Sequence, residues 1–510
     1  MILPVKNGKT NKISTSVQYI NFRCRVSLLF FVCFLLRLCF RGKYLDCCDS
    51  IDFALGIRDY DLSLLQPHFP GYPVYIFISR LFFRFFADEA WALVLPGVFF
   101  SSLTVYPLFS LARQLFSEKV ATLTAILYLI NPLCWLQAER PTSDAMGLFF
   151  VTLSADFLYR AFNPMLTNFN NKNCLFWGGL ALGLGLGVRL SYFPFIALLI
   201  GVLFYLAVQR MNHKTQVILY GFMGLVAGIF FWLFPQIGHI GCSSFFQNGF
   251  LFSYGHFTDW GGSIFTFCGL TRIACLVKSI WVCGLGGWWY DTSFLRLIPS
   301  MIIIISLFYF LKYYHFDRRG WFLVLYVFPY LLWVILGQNV ANPRHIMPII
   351  PMILILIACG LCKAQETDYK GVFLLFTLTL IVSMSVISFK LVVKYRNNIP
   401  APIQLIQFIE RQFNNISTRI YCCNEKRFFD YYAPQWDVRT VRDITELKSD
   451  LLCSLGKPQN ILMVHTSGEM KQFGITNPPM TKFKGNPYTD STREELQLSV
   501  LTNSQVGHHF

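Results

Sequence analysis

The sequence predicts a polytopic α-helical membrane protein followed by a small C-terminal α/β domain. Hydrophobic residues make up 55% of the 510 residues and charged residues 14%, whereas soluble proteins carry about 25% charged residues. Apolar runs of spanning length recur between residues 26 and 392, which predicts about eleven transmembrane helices. From about Tyr395 charged residues become common, and this change predicts a separate domain of roughly a hundred residues.

The basic excess of the chain fits a membrane protein better than a nucleic-acid-binding one. Lys and Arg number 43 against 27 Asp and Glu. In a membrane protein such an excess reports cations kept in cytoplasmic loops and near anionic lipid headgroups. We therefore expect membrane lipids as partners and no nucleic acid, with the protein in a bacterial inner membrane.

The N-terminal region sets the predicted sidedness of the chain. Residues 1–25 are polar and basic, and residues 26–40 form a first apolar run without a cleavage site after it, which predicts an uncleaved first span. Its basic flank places the N-terminus in the cytoplasm, so that loop 41–89 faces outward. Within this loop, residues 74–86 are too short to span and contain two arginines, which predicts an amphipathic helix at the interface.

The remaining spans follow the same hydropathy argument. They are predicted at residues 90–116, 120–137, 144–162, 174–188, 192–208, 217–234, 297–311, 321–336, 346–361 and 372–392. The outer loops of the transmembrane domain, 26–394, then comprise 41–89, 138–143, 235–296 and 337–345. An apolar patch at 273–285 is ambiguous, and counting it as a span would change the final sidedness.

The C-terminal domain, residues 395–510, is predicted to lie outside the cytoplasm. Short β-like runs at 419–422 and 460–464 alternate with helical-looking runs at 402–413 and 444–452. This alternation predicts a small α/β domain. The last thirty residues are polar, and we expect them to be loosely ordered.

Acidic residues concentrate in the first outer loop. Five aspartates fall within sixteen residues of a chain that has only 27 acids: Asp46, Asp49, Asp52, Asp59 and Asp61. The sequence HFPGYP at residues 68–73 then forms a turn rich in Pro and Gly. An acidic loop at the mouth of an apolar bundle is where we expect the chemistry.

A helix over residues 49–60 would place Asp49, Asp52 and Asp59 on one side. Ile51, Ala54 and Leu55 would form the opposite, membrane-contacting stripe. The acidic face could supply a general base or bind a cation. It could equally do no more than keep the loop in water.

The second outer loop adds two further acids. Glu139 and Asp144 would lie at the same membrane level as the first loop. Asp144 begins a predicted span, where a carboxylate is costly unless it is used. The alternative is helix capping, because Ser143 and Asp144 both favour a helix N-terminus.

Arginines mark the outer ends of two other spans. Arg189 follows a glycine-rich span, and Arg344 with His345 opens a late one. Each arginine could simply reach the lipid headgroups, or its planar fork of donors could bind a phosphate. The glycines before Arg189 favour close helix packing rather than phosphate binding. No P-loop, GxSxG or HExxH motif is present.

With these positions the chain resembles the GT-C superfamily of polyprenyl-phosphate-sugar-dependent glycosyltransferases, over roughly residues 26–365. It is most similar to the protein O-mannosyltransferase and lipid A aminoarabinose transferase group. The sequence DSIDFAL from Asp49, followed by HFPGYP from His68, resembles the first outer loop of that group. Ser143-Asp144 and PRH at 343–345, with Pro348, follow in the expected order.

The resemblance implies transfer of a monosaccharide from a polyprenyl-phosphate donor to a hydroxyl acceptor at the outer membrane face. Asp49 resembles the first-loop acid of the family, taken as the general base of an inverting single displacement. Asp144, or Glu139 beside it, resembles the second-loop acid. Arg344 and His345 resemble the late-loop site that meets the lipid phosphate.

Other residues complete the implied substrate-binding set. Arg189 or His68 could stabilise the departing phosphate, and Asp52 and Tyr72 lie in the same first-loop motifs. No cofactor and no metal ion is expected, although the clustered acids leave a divalent cation possible. The sequence has Asp49-Ser50 where the mannosyltransferases have adjacent acids, and His68 where the aminoarabinose transferases have a lysine. These departures leave the sugar open, and the acceptor could be a glycan, a lipid or a protein.

Three alternatives to this function remain at the level of the sequence. The first is an outer-face polymerase or ligase that uses another lipid-linked glycan. The second is a transporter or flippase, although transporters place charges near mid-span and here the charges lie in loops and at helix ends. The third is a scaffold without activity.

Overall fold

The computed structural model describes residues 10–163, 171–208, 214–453, 459–473, 480–486 and 495–501. Its backbone contacts divide the chain into two units. The helical unit comprises Met1–Arg41 and Phe69–Val392, and the mixed unit comprises Gly42–His68 and Val393–Phe510. The segment Gly42–His68, which the hydropathy pattern assigns to the transmembrane domain as a loop, therefore groups with the C-terminal domain.

Helices dominate the described residues. In chain order they are α1 (Thr10–Phe40), α2 (Cys48–Arg58), α3 (Pro73–Phe86), α4 (Glu89–Leu103), α5 (Val105–Leu115), α6 (Glu118–Leu129), α7 (Pro132–Ala138), α8 (Asp144–Phe162), α9 (Asn171–Val188), α10 (Ile196–Val208), α11 (Lys214–Ile240), α12 (Cys242–Gly255), α13 (Leu270–Lys278), α14 (Leu297–Tyr313), α15 (Arg318–Gly337), α16 (Ile350–Ala364), α17 (Lys370–Asn397), α18 (Ala401–Gln412), α19 (Lys426–Tyr432), α20 (Ile444–Cys453) and α21 (Ser467–Gln472). The strands are β1 (Thr418–Cys422), β2 (Asp437–Thr440), β3 (Asn460–His465), β4 (Thr481–Lys484) and β5 (Glu495–Leu501).

The number of apolar helices confirms a polytopic membrane fold. In the described part of the chain, eight helical segments are long and apolar enough to cross a membrane, or nine if the bent pair α6 and α7 is one span. The other two predicted spans coincide with α1 and α9, which are helices. These two helices are not among the candidate spans. Three arginines make α1 too charged, and the polar first turn and the glycines of α9 lower its mean hydropathy.

One predicted span is broken and another is continuous. The span predicted at 90–116 is the continuous candidate span Glu89–Leu115, in which Thr104 keeps helical dihedral angles between α4 and α5. The span predicted at 120–137 bends by 56° between α6 and α7. The bend occurs where Pro132 lacks the N–H that a continuous helix requires. Asn131 caps the new helix by accepting a hydrogen bond from the backbone N–H of Cys134 at 3.0 Å.

The predicted loop 235–296 is largely helical. Helix α11 continues through Pro235 to Ile240, and α12, α13 and two π-helical turns follow. The ambiguous patch at 273–285 falls in α13, which has nine residues, and in the turn Ser279–Gly284. Neither is among the candidate spans of the described residues. The two follow each other directly and have nine and six residues, whereas a spanning helix needs about 20.

The interfacial segment predicted at 74–86 is the 14-residue helix α3. At 1.5 Å per residue it is about 21 Å long, too short to cross a bilayer. Val74, Tyr75, Ile76 and Ser79 form its buried face. One buried face is what an amphipathic helix requires, whereas its position at the membrane interface stays a prediction.

Glycines allow α9 and α11 to pack closely, as the sequence indicates. Gly179 and Gly183 on α9 face Gly224 and Gly228 on α11. A Cβ atom at Gly228 would lie 2.6 Å from the carbonyl oxygen of Leu180 and 2.9 Å from the Cα of Gly183. The two backbones therefore touch at these positions, which is the small-residue packing of membrane helices.

The mixed unit contains a five-stranded sheet of order β2-β1-β3-β5-β4. β1 pairs in parallel with β2 and β3, and β5 pairs antiparallel with β3 and β4. β1, β3, α18 and α20 lie where the four alternating runs of the sequence predict them. Tyr421 of β1 and Met463 of β3 are fully buried in the core of this unit.

The expectation of a loosely ordered tail is wrong in part. β4 and β5 lie within the last thirty residues, and β5 is an interior strand of the sheet. Leu496 and Leu498 of β5 are fully buried, because its alternating apolar residues meet the core on one face. Residues 487–494 and 502–510 lie outside the described residues.

We expect Gly228→Ala to lower the stability of the protein by about 1–3 kcal/mol, because an overpacked contact forces the backbones apart. Gly238→Ala on the same helix is the control, since a Cβ atom there would meet nothing within 4 Å. The control should be neutral or stabilising by up to about 1 kcal/mol. Thermal unfolding in detergent measures both, and equal shifts would contradict the packing account.

Candidate active site

A buried ion-pair cluster lies around Asp144 in the helical unit. Asp144 is the first residue of α8, Arg189 directly follows α9, and Arg344 lies in the 3-10 turn Pro343–Ile349 before α16. Asp144 Oδ1 is 3.1 Å from Arg189 Nη1, and Asp144 Oδ2 is 4.0 Å from Arg344 Nη1. Three helix ends thus bring together the charges that the sequence places far apart.

Three further side chains complete the neighbourhood of Arg189. Its Nη2 is 3.4 Å from Nδ1 of His345, and its Nη1 donates a long hydrogen bond of 3.5 Å to Oγ of Ser143. Tyr72 lies close enough to interact electrostatically with the guanidinium. Arg189 therefore connects the second predicted loop, the late loop and the residue before α3.

This cluster contains two groups that can bind an anion. The guanidinium groups of Arg189 and Arg344 lie around the carboxylate of Asp144. Asp144 is fully buried, whereas the side chains of Arg189 and Arg344 retain 7% and 14% of their exposure. Arg344 is therefore the cation of the pair that an incoming ligand can best reach. Guanidinium groups bind phosphate strongly through parallel hydrogen bonds.

Buried tyrosines hold the backbone beneath this cluster. Tyr330 and Tyr326 of α15 donate hydrogen bonds to the carbonyl oxygens of His345 at 2.8 Å and Pro348 at 3.0 Å. Tyr192 lies 3.4 Å from the carbonyl oxygen of Asp144. These contacts fix the 3-10 turn that carries Arg344 and His345, whose own i→i+3 hydrogen bonds have poorer geometry than those of an α-helix.

Arg272 anchors the chain that leads into this turn, and sequence reasoning missed it. Its guanidinium donates to five carbonyl oxygens at 2.7–3.3 Å, those of Gly262, Phe267, Val334, Ile335 and Gln338. Three of them belong to the last turn of α15 and the residue after it. The carbonyl oxygen of Val334 also accepts from the backbone N–H of Gln338 at 3.3 Å, whereas the carbonyl groups at the very end of a helix have no partner within it. Burial lowers the pKa of Arg272, and the carbonyl contacts offset that desolvation. The only sequence signal is a cation at the start of an apolar loop segment.

His256 makes a second contact of the same kind. Its Nε2 lies 2.6 Å from the carbonyl oxygen of Gly337, the last residue of α15. The hydroxyl of Ser279 donates to the carbonyl oxygen of Val340 at 2.7 Å. The segment between α12 and α14 thus holds residues 334–340, a few positions before Arg344.

Asp52 and His68 meet in the mixed unit. Helix α2 confirms the predicted helix, with Asp49 half-buried in its first turn. Asp52 is 7% exposed, and its Oδ2 lies 3.1 Å from Nδ1 of His68. The prediction of a solvated acidic face is therefore wrong for Asp52. Ile51 and Ala54 of the opposite stripe are fully buried in the protein and do not face lipid.

The other first-loop acids have separate surroundings. Asp61 caps a short 3-10 turn by accepting hydrogen bonds from the backbone N–H and the hydroxyl of Ser63. Asp59 is the exposed C-cap of α2. Among the residues that the structure describes, no group of three or more His, Cys, Asp or Glu side chains is placed to hold a metal ion.

Glu139 is fully buried at the end of α7. Its Oε1 accepts a hydrogen bond of 2.5 Å from the indole N–H of Trp135. The next residue, Arg140, is buried as well and contacts Gln137. Glu139 thus belongs to the buried polar end of α7, beside the segment that leads to Asp144.

Two comparisons of the sequence bear on the class of protein. Residues 67–234 match the family model of dolichyl-phosphate-mannose-protein mannosyltransferases. This range includes His68, Tyr72, Asp144 and Arg189. No curated protein sequence matches the chain significantly.

Solved structures share the fold over almost the whole chain. ArnT from Cupriavidus metallidurans in the apo state superposes with a TM-score of 0.55 at 12% identity, covering 97% of this chain and 99% of ArnT. The same enzyme bound to undecaprenyl phosphate gives a TM-score of 0.55 at 12% identity, covering 96% and 99%. At this identity the match establishes the fold.

Together these findings confirm the fold class that the sequence predicts. The chain has the helical membrane fold that ArnT also has, and residues 67–234 are similar to dolichyl-phosphate-mannose-protein mannosyltransferases.

We expect Arg272→Met to destabilise the protein by about 3 kcal/mol, because several buried carbonyl oxygens lose their only charged donor. The stability of Arg272→Lys should lie between those of the unmodified protein and Arg272→Met, since an ammonium group offers three donors rather than five. Lys278→Met on the same helix is the control, because Lys278 makes a surface ion pair with Asp291 worth at most about 1 kcal/mol. Thermal unfolding in detergent compares them, and equal losses for Arg272→Met and Lys278→Met would refute the anchoring role.

Proposed function

We propose that the protein transfers a monosaccharide from a polyprenyl-phosphate donor to a hydroxyl group of an acceptor. The observation that carries this proposal is the buried cluster of Asp144, Arg189 and Arg344, which brings two guanidinium groups together at the ends of apolar helices. A lipid-linked donor places its phosphate at the membrane surface while its tail stays in the hydrocarbon. The cluster is suited to receive that phosphate.

The departing phosphate gains negative charge as the bond to the sugar breaks. Arg344, as the more accessible guanidinium, contacts this phosphate first. Arg189 and His345, which are more deeply buried, stabilise it further. Donors fixed in advance by a buried framework stabilise developing charge without reorganising during the reaction. Undecaprenyl phosphate bound to the similar ArnT supports a polyprenyl phosphate as the lipid carrier.

Asp144 acts as a positioning residue in this proposal, which revises its assignment as a catalytic acid or base. Its carboxylate is fully buried and faces a guanidinium on each oxygen. A carboxylate in this position holds the two arginines at a fixed separation. Removing it would leave two like charges facing each other.

Asp49 is the proposed general base, on the strength of the first-loop resemblance. The acceptor hydroxyl is a far weaker acid than a carboxyl group, so it needs a proton acceptor as it attacks the anomeric carbon. A carboxylate within hydrogen-bond reach takes this proton. A single displacement inverts the anomeric configuration, and we place it at the extracytoplasmic face of a bacterial inner membrane.

The placement of the charges favours transfer chemistry over transport. Asp144 begins α8, Arg189 follows α9, and Arg344 precedes α16. Transporters instead place their charged sites near the bilayer midplane, at helices broken in mid-span. An enzyme acting on a lipid-linked substrate needs its charges at the helix ends, where the phosphate lies.

We expect Asp49→Asn to lower kcat by about 10²–10⁴-fold, because the amide cannot accept the proton. Asp59→Asn is the control, since Asp59 is an exposed acid of the same segment. The measurement follows release of polyprenyl phosphate from a panel of radiolabelled polyprenyl-phosphate monosaccharides by purified protein. Normal turnover of Asp49→Asn would remove the base assignment.

We expect Arg344→Gln to lower turnover by about 10²–10³-fold, because a donor to the developing phosphate charge is lost. Arg344→Lys should retain part of the rate, since it keeps the charge without the planar fork. Arg296→Gln controls for loss of a cation near a carbonyl oxygen in the same unit. The same release assay measures the variants, and turnover of Arg344→Gln at the level of the control would argue against a phosphate site.

A further inference from the structure

Asp52 is held on both sides inside the mixed unit. Its Oδ1 accepts a hydrogen bond of 2.7 Å from Nε of Arg427, and its Oδ2 is 3.1 Å from Nδ1 of His68. Arg427 lies 375 residues further along the chain, on α19. With a cation on one oxygen and an imidazole on the other, Asp52 is an internal anchor. The expectation that Asp52 binds substrate stays a prediction.

Arg427 also holds a second point of the same segment. Its Nη2 donates to the carbonyl oxygens of Leu64 at 3.0 Å and Leu65 at 2.7 Å. Leu65 has a φ of 56°, in the left-handed region, which L-residues rarely adopt without support. One guanidinium thus fixes both α2, through Asp52, and the turn that follows it.

The remaining residues of α19 contact the rest of the segment. The hydroxyl of Tyr432 accepts a hydrogen bond of 3.1 Å from the backbone N–H of Leu45, and Arg58 lies 5.6 Å from the ring centre of Tyr431. Burial raises the pKa of Tyr432, so its hydroxyl stays neutral. Contacts from α19 therefore reach the beginning, the middle and the end of Gly42–His68.

Helix α19 is itself packed into the core of the mixed unit. It follows β1 in the chain, and its residues Phe428 and Phe429 are fully buried. β1 pairs in parallel with two neighbouring strands. The apolar side of α19 is thus buried in the core of the mixed unit, and its polar side contacts the segment Gly42–His68.

We propose that α19 of the C-terminal domain is the positioning element of the first acidic loop, with Arg427 as its main positioning residue. Asp49 lies three residues before Asp52 on α2, almost one helical turn, so the contact that holds Asp52 also orients Asp49. This inference rests on the proposed function in so far as Asp49 is the base. It assigns the C-terminal domain the task of holding the loop in the conformation that turnover requires.

The test combines hydrogen exchange with kinetics on the full-length protein in detergent. The variants are Arg427→Gln, Arg427→Lys and Asp52→Asn, and Lys426→Gln is the matched control, because Lys426 pairs with Asp430 on the exposed side of the same helix. Exchange is followed in residues 45–66 and, as a folding reference, in β1 and β3. Turnover is followed by release of polyprenyl phosphate.

We expect Arg427→Gln and Asp52→Asn to raise exchange in residues 45–66 by about tenfold or more while β1 and β3 stay protected. kcat should fall by about tenfold or more, with KM for the donor changed less than about threefold, because donor-binding residues are untouched. Arg427→Lys should recover part of both effects, and Lys426→Gln should match the unmodified protein. If Arg427→Gln loosens the reference strands as well, Asp52→Asn decides the outcome without altering the C-terminal domain.

Unchanged exchange in residues 45–66, or a loosened loop with unchanged kcat, would overturn the proposal. Absence of turnover in the unmodified protein with every donor would instead defeat the proposed function. In that case the exchange data still decide whether α19 holds the segment, since they need no substrate.

Discussion

The ion pairing of Asp144 is the constraint on which the rest of the helical unit depends. A carboxylate at 0% exposure is unfavourable by several kcal/mol unless cations face it. Arg189 and Arg344 supply that charge only if the ends of α8, α9 and the turn before α16 converge. The helices must therefore pack so that their ends meet, because the buried carboxylate needs both arginines close to it.

Convergence of helix ends creates a second requirement, because every end leaves backbone carbonyl groups without partners. At membrane depth such groups must be satisfied by the protein. Arg272 meets this need at the end of α15 with three contacts, His256 adds a fourth, and Tyr330 donates in the same way to the carbonyl oxygen of His345. The side chains of Arg272, His256 and Tyr330 thus help to determine the position of Arg344.

Local patterns in the sequence predict the helices well, because hydropathy and helix period are properties of neighbouring residues. They also single out Asp144, Arg189 and Arg344 as candidate site residues, since a charge at the end of an apolar run is costly unless it has a role. They fail where a partner is distant: nothing near Asp52 indicates Arg427, and nothing near Arg272 indicates the carbonyls of α15. The break at Pro132 has a local cause, which hydropathy alone does not reveal. The strand β5 was missed because its pairing with β3 and β4 depends on residues that are distant in the sequence or outside the local pattern.

The two candidate carboxylates differ in surroundings as their proposed tasks require. A carboxylate that accepts a proton during each turnover must be within hydrogen-bond reach of the acceptor hydroxyl. Asp144 is fully buried beside two guanidinium groups, which suits a residue that keeps two arginines apart. Asp49 is half-buried in the first turn of α2, almost one turn from Asp52, which suits a base that must be both held in place and accessible. The difference in burial thus matches the division of roles that we propose for the two acids.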